Sequence, residues 1–308
     1  MARQPMLSVR QLEVFRAVIV SGSISAASAR LGVAQPTVTN TIRRLEDVLG
    51  VSLFTRQGGR LVPTRMAQQI FEVVNPSIAG LEQLSEQVRE VAQGRHATLR
   101  LGVSPSVSQA LGPKTLALFA ADFPEVRLRM DTLSLKQVRD YLWLAEGDCA
   151  MTIFPVDEPM IVSHRISEIG MVCLVPADHP LAARESVAIE DIAAERLIFF
   201  HPNTPHGKLV RRMFEARGIE PDIAIETRFA ETAAHLMHEG FGIALSDALT
   251  AKGLREPGVA VRPLKDSPRQ PVLLHHHQAT AQSAEVAALL DAALRAAAAL
   301  GLPAYAAA

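Results

Sequence analysis

Apolar residues recur at helical spacing in three short series within the first part of the chain, each bounded by a residue that starts or stops a helix. Ser8 and Gln11 form a capping-box pair ahead of Leu12, Phe15 and Ile19, and Gly22 ends that series. Ser23 can cap a second helix carrying Ile24, Ala27 and Leu31, which Gly32 ends in a tight turn. In the third series Val38, Ile42, Leu45 and Leu49 share an inward stripe, while Gln35, Pro36, Thr39, Asn40 and Arg43 face the other way. From Val51 to Thr64 the helical period gives way to two short extended pieces around Gly58-Gly59.

Two helices joined by so short a turn, the second polar outward and basic near its middle, predict a helix-turn-helix, and the hairpin predicts a wing. The outer face suits a DNA major groove, because Asn and Gln can bond adenine bidentately, Arg can bond guanine, and a Thr methyl can meet a thymine methyl. The candidate groove residues are Gln35, Pro36, Thr37, Thr39, Asn40, Arg43 and Arg44. Arg56 and Arg60 flank the wing turn and would lie along phosphates or a minor groove. Charge agrees with this placement. The net charge of −1 over 308 residues conceals eight arginines against three acids in residues 8–65, whereas residues 96–308 carry 20 basic and 25 acidic side chains.

Beyond the wing, Ile70, Val74, Ile78, Leu81, Leu84, Val88 and Val91 fall three or four apart, close to a heptad seam. A long helix from Met66 to Gln93 is expected, acidic through Glu72, Glu82, Glu86 and Glu90, and so suited to pairing two copies rather than to touching phosphate. Pro76 removes one backbone bond at a cost of roughly 3 kcal/mol, so a kink or a fresh start after Asn75 is expected. Gly94-Arg95-His96 reads as a hinge. Period-two runs at 99–103 and 126–130 then bracket a helical stretch at 112–123. Further runs at 150–154, 170–175, 197–200, 223–227 and 242–245 alternate with helical stretches near 189–194, 207–217 and 230–239. This pattern predicts an open α/β architecture of two lobes, with ligands beyond the carboxyl ends of strands and at helix N-termini. The whole chain is therefore expected to be α+β and multidomain, with a mostly-α winged helix-turn-helix over 1–65, a linker and dimerisation helix with its hinge over 66–94, and a ligand-binding α/β region over 95–308.

Composition narrows the class. A hydrophobic content of 48% is ample for buried cores, and no stretch approaches the roughly 20 uninterrupted apolar residues of a membrane span. The N-terminus lacks a charged segment followed by an apolar one, which argues against export and for the cytoplasm. Two cysteines, Cys149 and Cys173, exclude a disulfide framework; both lie in apolar strand contexts and read as inert buried thiols, with a redox pair as the alternative. His235 and His238 have no third ligand at metal-site spacing, and His275-His276-His277 alternates faces on a strand. No nucleophile elbow, phosphate-binding Gly-Lys loop or zinc-protease helix occurs. No enzyme, metal or cofactor is expected.

The segments Leu12-Glu13-Val14-Phe15, Gly22-Ser23-Ile24-Ser25-Ala26-Ala27, Gln35-Pro36-Thr37-Val38-Thr39, Ile42-Arg43-Arg44-Leu45-Glu46, Leu49-Gly50, Leu53-Phe54-Thr55-Arg56 and Pro63-Thr64 closely resemble the N-terminal domain of LysR-type transcriptional regulators. The chain departs at Ala34 and Thr39, where the family usually has serine, and at Arg65-Met66-Ala67, where an Ala-Gly pair commonly follows. Ala34 forgoes a capping bond worth about 1 kcal/mol, while Pro36 still favours the first turn. Thr39 and Asn40, on the reading face, mark where operator preference should differ. Gly102-Val103-Ser104-Pro105-Ser106, Asp178-His179-Pro180-Leu181 and Glu239-Gly240-Phe241-Gly242-Ile243-Ala244-Leu245 resemble the family's periplasmic-binding-protein-like effector domain. That resemblance implies lobe one at about 95–162 and 266–308 and lobe two at about 163–265. More narrowly, Phe199-Phe200-His201-Pro202-Asn203-Thr204-Pro205-His206-Gly207 and Glu231-Thr232-Ala233-Ala234 look like the branch that senses opines and related amino acids. The family resemblance implies an effector-responsive regulator of double-stranded promoter DNA, a homodimer or homotetramer, RNA polymerase as a further partner, and no membrane association.

Position supplies the candidate effector residues. Ser104 and Ser106 end a strand and open a helix; Asn203 and Thr204, beside His201, do the same in the other lobe, and two facing helix N-termini favour an anion. Thr132, Ser134, Thr227 and Phe229 would complete the wall. An amino-acid-like or carboxylate effector is expected, with Asp131, Glu226 and Glu231 as candidate acceptors for an amine. The alternatives are a thiol-based redox sensor on the same scaffold and, more remotely, an α/β binding protein or enzyme carrying a helix-turn-helix.

Overall fold

The computed structural model describes residues 7–57, 60–92, 98–254, 257–280 and 283–303. They divide into two compact units, one made of residues 7–92 with Trp143–Ala145 and the other of the remainder from residue 98.

In the first unit, three helices follow from caps and stripes. Helix α1 (Val9–Ser21) starts at a capping box in which Gln11 N donates to Ser8 Oγ at 3.2 Å and Ser8 N donates to Gln11 Oε1 at 2.9 Å. Helix α2 (Ile24–Leu31) is capped by Ser23, which accepts from Ala26 N at 3.1 Å, and α3 (Gln35–Leu49) begins at Ala34 without a side-chain cap. Gly22, Gly32 and Gly50 leave the three helices at positive φ of 68°, 64° and 68°. Strands β1 (Phe54–Gln57) and β2 (Arg60–Pro63) pair antiparallel as the expected wing; its Gly58-Gly59 turn lies outside the described residues. Phe15, Val38, Leu45 and Leu53 are fully buried between these elements, each worth about 1.5–3 kcal/mol.

Helix α4 (Arg65–Ala92) runs unbroken, so the expected restart after Asn75 does not occur. Its first half is anchored by burial of Ala67, Val74 and Ile78 in the core of the winged unit, which offsets the one backbone bond that proline removes. The expected seam therefore divides. Ile70, Val74 and Ile78 pack within their own unit, whereas Leu81, Leu84 and Val88 are 44%, 53% and 59% exposed. A boundary at 65/66 consequently cuts through one packed body. Arg16 ties α1 to α4, donating through Nε to Asn75 Oδ1 at 2.6 Å and through Nη1 to both carboxylate oxygens of Glu82 at 2.9 and 2.8 Å. The expected hinge at Gly94-Arg95-His96 lies outside the described residues.

The second unit contains two five-stranded sheets. The chain enters lobe one through β3 (Thr98–Val103), α5 (Pro105–Ser108), α6 (Leu111–Asp122), β4 (Arg127–Thr132), α7 (Leu135–Trp143), β5 (Cys149–Thr152) and β6 (Ile161–Ile169). It makes lobe two from β7 (Met171–Pro176), α8 (Ile189–Ile192), β8 (Arg196–Phe200), α9 (Pro205–Glu215), β9 (Asp222–Thr227), α10 (Ala230–His238), β10 (Ile243–Asp247), α11 (Ala248–Gly253) and β11 (Val259–Pro263). It returns through β12 (Gln270–His277) and α12 (Ala284–Ala299), which packs on α6. The sheet orders are β4-β3-β5-β12-β6 and β11-β7-β10-β8-β9. The expected first crossing at 162/163 is corrected to Gly170, because β6 pairs along its whole length with β12 in the sheet of lobe one. Helix α11 binds the lobes together. Its Leu249 is buried in the lobe-one core, and a Cβ on Gly253 would stand 2.4 Å from Gln109 Cβ on the lobe-one side.

The histidine run on β12 alternates faces as its strand period requires. His275 bonds Thr152 Oγ1 through Nε2 and Ser163 Oγ through Nδ1, both at 2.8 Å, while His276 Nε2 meets His164 Nε2 at 3.0 Å on the opposite face. Burial, then the neighbouring His276 and His164, push His275 down to about 4, below the ordinary histidine value of about 6.5. The unfolded chain thus takes up a proton that the folded chain refuses between roughly pH 6.5 and 4, and stability is lost on acidification through that window by up to about 3 kcal/mol. Urea unfolding of the wild type and of His275→Asn at pH 7 and pH 4.5 checks this. The wild type should lose about 2 kcal/mol more than the variant over that range, and parallel losses would refute it.

Cys149 on β5 and Cys173 on β7 lie in different sheets, both fully buried. Burial pushes both thiols up, that of Cys173 to about 12, so neither carries an appreciable thiolate at neutral pH.

Candidate functional site

Helix α3 presents the predicted reading residues away from the core. Gln35, Pro36, Thr37, Thr39, Asn40, Arg43 and Arg44 are exposed, and Val38, Ile42 and Leu45 are buried. Gln35 Nε2 donates to Ser25 Oγ at 3.3 Å, linking α3 to α2. Thr39 Oγ1 donates to the Gln35 carbonyl at 3.0 Å, so a methyl group and oxygen lone pairs are what it has left to offer a base. Arg56 on β1 is exposed; the Arg60 side chain lies outside the described residues. Sequence reasoning missed the residue that fixes the wing. Glu46 Oε1 accepts from Leu53 N at 2.6 Å and Phe54 N at 3.3 Å, holding β1 against the end of α3. Its signal in the sequence was slight, since Glu46 is one of three acids in that basic module and Asp47 stands beside it.

In the second unit, Ser104 and Ser106 stand at the carboxyl end of β3, where the two lobes touch. Ser106 Oγ donates to Asp247 Oδ2 at 2.7 Å, from lobe one to lobe two. Asp247 is wholly buried and caps α11, its Oδ1 accepting from Thr250 N at 2.8 Å, and its Oδ2 also taking Thr250 Oγ1 at 2.8 Å and His206 Nε2 at 3.2 Å. Burial alone would push this carboxyl up, but His206, the Thr250 N–H and the Ser106 hydroxyl together hold it below the usual carboxylate range. The His206 ring stacks on Phe200 at 4.7 Å and meets Phe154 of lobe one edge-on at 5.0 Å.

The remaining predicted residues separate into groups. His201, Thr204 and Thr227 come together at the carboxyl ends of β8 and β9. His201 N donates to the Thr227 carbonyl at 2.8 Å, and Thr204 Oγ1 donates to the His201 carbonyl at 2.7 Å while accepting from Gly207 N at 3.0 Å as the cap of α9. Asn203 is exposed beside them, its N–H donating to His201 Nδ1 at 3.2 Å, and Phe229 is 43% exposed ahead of α10. Thr132 is exposed at the end of β4, and Ser134 Oγ is engaged locally with Gln137 Oε1 at 2.7 Å. Asp247, His206, Phe154 and Phe200 were not among the predicted site residues. Asp247 with Thr250 three positions on is a readable helix cap, but its partner Ser106 lies 141 residues away in the chain.

Comparison with known proteins follows the same division. The family profile described as bacterial regulatory helix-turn-helix protein, lysR family, matches residues 9–68, and that described as LysR substrate binding domain matches residues 92–298. Regulatory protein NocR of Agrobacterium fabrum is 29% identical over 246 residues, covering 80% of this chain and 82% of that protein. The octopine catabolism/uptake operon regulatory protein OccR of Rhizobium meliloti is 26% identical over 257 residues, covering 83% and 85%. Full-length OxyR from Pseudomonas aeruginosa, in a single-substitution form, superposes with a TM-score of 0.68 at 21% identity, over 94% of this chain and 95% of that one, a likeness of fold.

Proposed function

The chain belongs to the LysR family of transcriptional regulators, a family of DNA-binding proteins with an effector domain and not of enzymes, and from that premise we propose that it couples promoter binding to an amino-acid-like or carboxylate effector held between its two lobes. The Ser106–Asp247 bond carries this reading, because it is a buried polar contact between the lobes that a ligand seated beside it would alter. An effector seated there favours one interlobe arrangement over another, and only a difference in affinity between the arrangements can shift the balance. The bare stripe of Leu81, Leu84 and Val88 on α4 pairs two copies, so that paired recognition helices meet two half-sites, and further pairing gives the tetramer. The exposed face of α3 reads bases and Arg56 follows the backbone. RNA polymerase is the partner at the promoter, and the cytoplasm is the compartment this function requires. Among the described residues no helix is long and apolar enough to cross a membrane. Similarity to the octopine catabolism/uptake operon regulatory protein OccR supports an opine or related amino acid as effector, and the buried Cys149 and Cys173, whose thiols burial pushes up, weigh against the thiol-sensing alternative.

A thermal-shift screen of amino acids, opines and small carboxylates tests the effector reading. A compound that binds only the folded protein adds about 2.7 kcal/mol of apparent stability at a hundred times its Kd. At least one should do so and also change affinity for a duplex selected by the wild type from a random pool. A screen in which stabilising compounds leave DNA affinity untouched, or in which none stabilises, defeats the reading.

A further inference from the structure

Two carboxylates at the interlobe contact differ in circumstance. Asp247 accepts four hydrogen bonds, one of them from His206. Glu231, in the first turn of α10, is half-buried, and its Oε2 is buried with no hydrogen-bond partner among the described residues. Burial pushes its carboxyl up and the charge of Asp247 adds to this, with its own backbone N–H and His206 opposing. Helix α10 packs against α5, the lobe-one helix that Ser104 precedes. Ser104 is only 8% exposed, and its Oγ is likewise buried without a partner. Unbonded buried polar atoms are rare, because folded proteins satisfy them with protein, water or ligand.

The other acids considered for an amine are already engaged. Asp131 accepts from the Tyr141 hydroxyl at 3.2 Å and pairs with Arg129 at 3.1 Å, and Glu226 lies 3.6 Å from Arg211 Nη2. Asp247 is saturated. Glu231 alone among these four keeps a buried oxygen waiting for a donor.

We propose that Glu231 is the counter-ion for a cationic group of the effector, a primary ammonium or a guanidinium, with the Ser104 hydroxyl bonding the same ligand, so that the protein selects amine-bearing carboxylates over plain ones. This inference rests on the reading of the interlobe contact as the effector site. A buried carboxylate strengthens a charged donor's hydrogen bond and is left uncompensated by an analogue that lacks the donor, so selection comes from rejection as well as attraction.

Calorimetric titration of matched pairs into the full-length protein tests it: L-norleucine against hexanoate, 5-aminopentanoate against pentanoate, and 4-guanidinobutanoate against butanoate. At least one cationic member should bind about tenfold or more tightly than its partner, and Glu231→Gln, which keeps the shape and removes the charge, should shrink that preference to within about twofold. Ser104→Ala should weaken the preferred compound, and Glu226→Gln should leave the preference intact. Should Glu231→Gln fail to fold by circular dichroism, Glu231→Asp, which withdraws the charge by one methylene, is judged by the same loss of preference. Equal binding within every pair, or a preference that survives both Glu231 variants, overturns the inference and leaves the interlobe site standing. Absence of binding by all six compounds overturns the inference, and the interlobe site falls with it only if the thermal-shift screen also finds no stabilising compound.

Discussion

Replacing Asp247 with alanine is expected to lower the stability of the effector-binding unit by about 3–5 kcal/mol and its Tm by on the order of 10 °C. The carboxylate is fully buried and is the acceptor for the Ser106 hydroxyl, the Thr250 hydroxyl and the first-turn N–H of α11. Removing it strands these buried groups and leaves the half-buried His206 Nε2 without its acceptor, and each stranded donor costs about 1–3 kcal/mol, less when several relax together. Ser106→Ala is the internal comparison. It deletes one donor while Asp247 keeps its other three bonds, so about 1 kcal/mol is expected. Differential scanning calorimetry of the full-length variants checks both values. If Asp247→Ala melts within a few degrees of the wild type, the buried carboxylate is not the tie between the lobes.

That residue also marks the limit of what the chain discloses when read as text. Caps and stripes act within four residues, so Ser8 with Gln11, Ser23, the three left-handed glycines and the inward faces of α1 to α3 were all readable. The strands of the effector region were readable where both faces are buried or alternate cleanly. Strand β6 was not, because it is an edge strand whose Ser163, Arg165 and Glu168 interrupt the apolar run, and its loss displaced the lobe boundary. Strand β11 was missed for a related reason: it too lies at a sheet edge, and its residues are mostly half-buried. On α4 the heptad spacing was real, yet spacing alone does not say which turns a neighbouring helix of the same unit will claim. At the interlobe contact, the serines were found from their place at a strand end. Asp247 and His206 were not, since pairing across 141 and 41 residues is a property of the folded sheets.

Arg43→Ala and Arg56→Ala should fail in different ways, and the contrast tests the division of labour between helix and wing. Arg43 is exposed on α3 beside Thr39 and Asn40, where a guanidinium reaches base edges. Its loss should cost about 1–3 kcal/mol of discrimination between a selected duplex and a scrambled one, a loss concentrated at one base-pair position. Arg56 stands on a strand that Glu46 holds against α3, and a cation there meets phosphates that every sequence shares. Its loss should weaken both duplexes alike and reduce the slope of log K against log salt by about one. Fluorescence anisotropy over about 50–200 mM salt separates the two, since counterion release governs one term and side-chain contact with base edges the other. A uniform loss for Arg43→Ala would move base recognition off that residue and onto its neighbours. Thr39 is then the residue to weigh, because its proton is already given to the Gln35 carbonyl and its remaining methyl can favour thymine by contact alone.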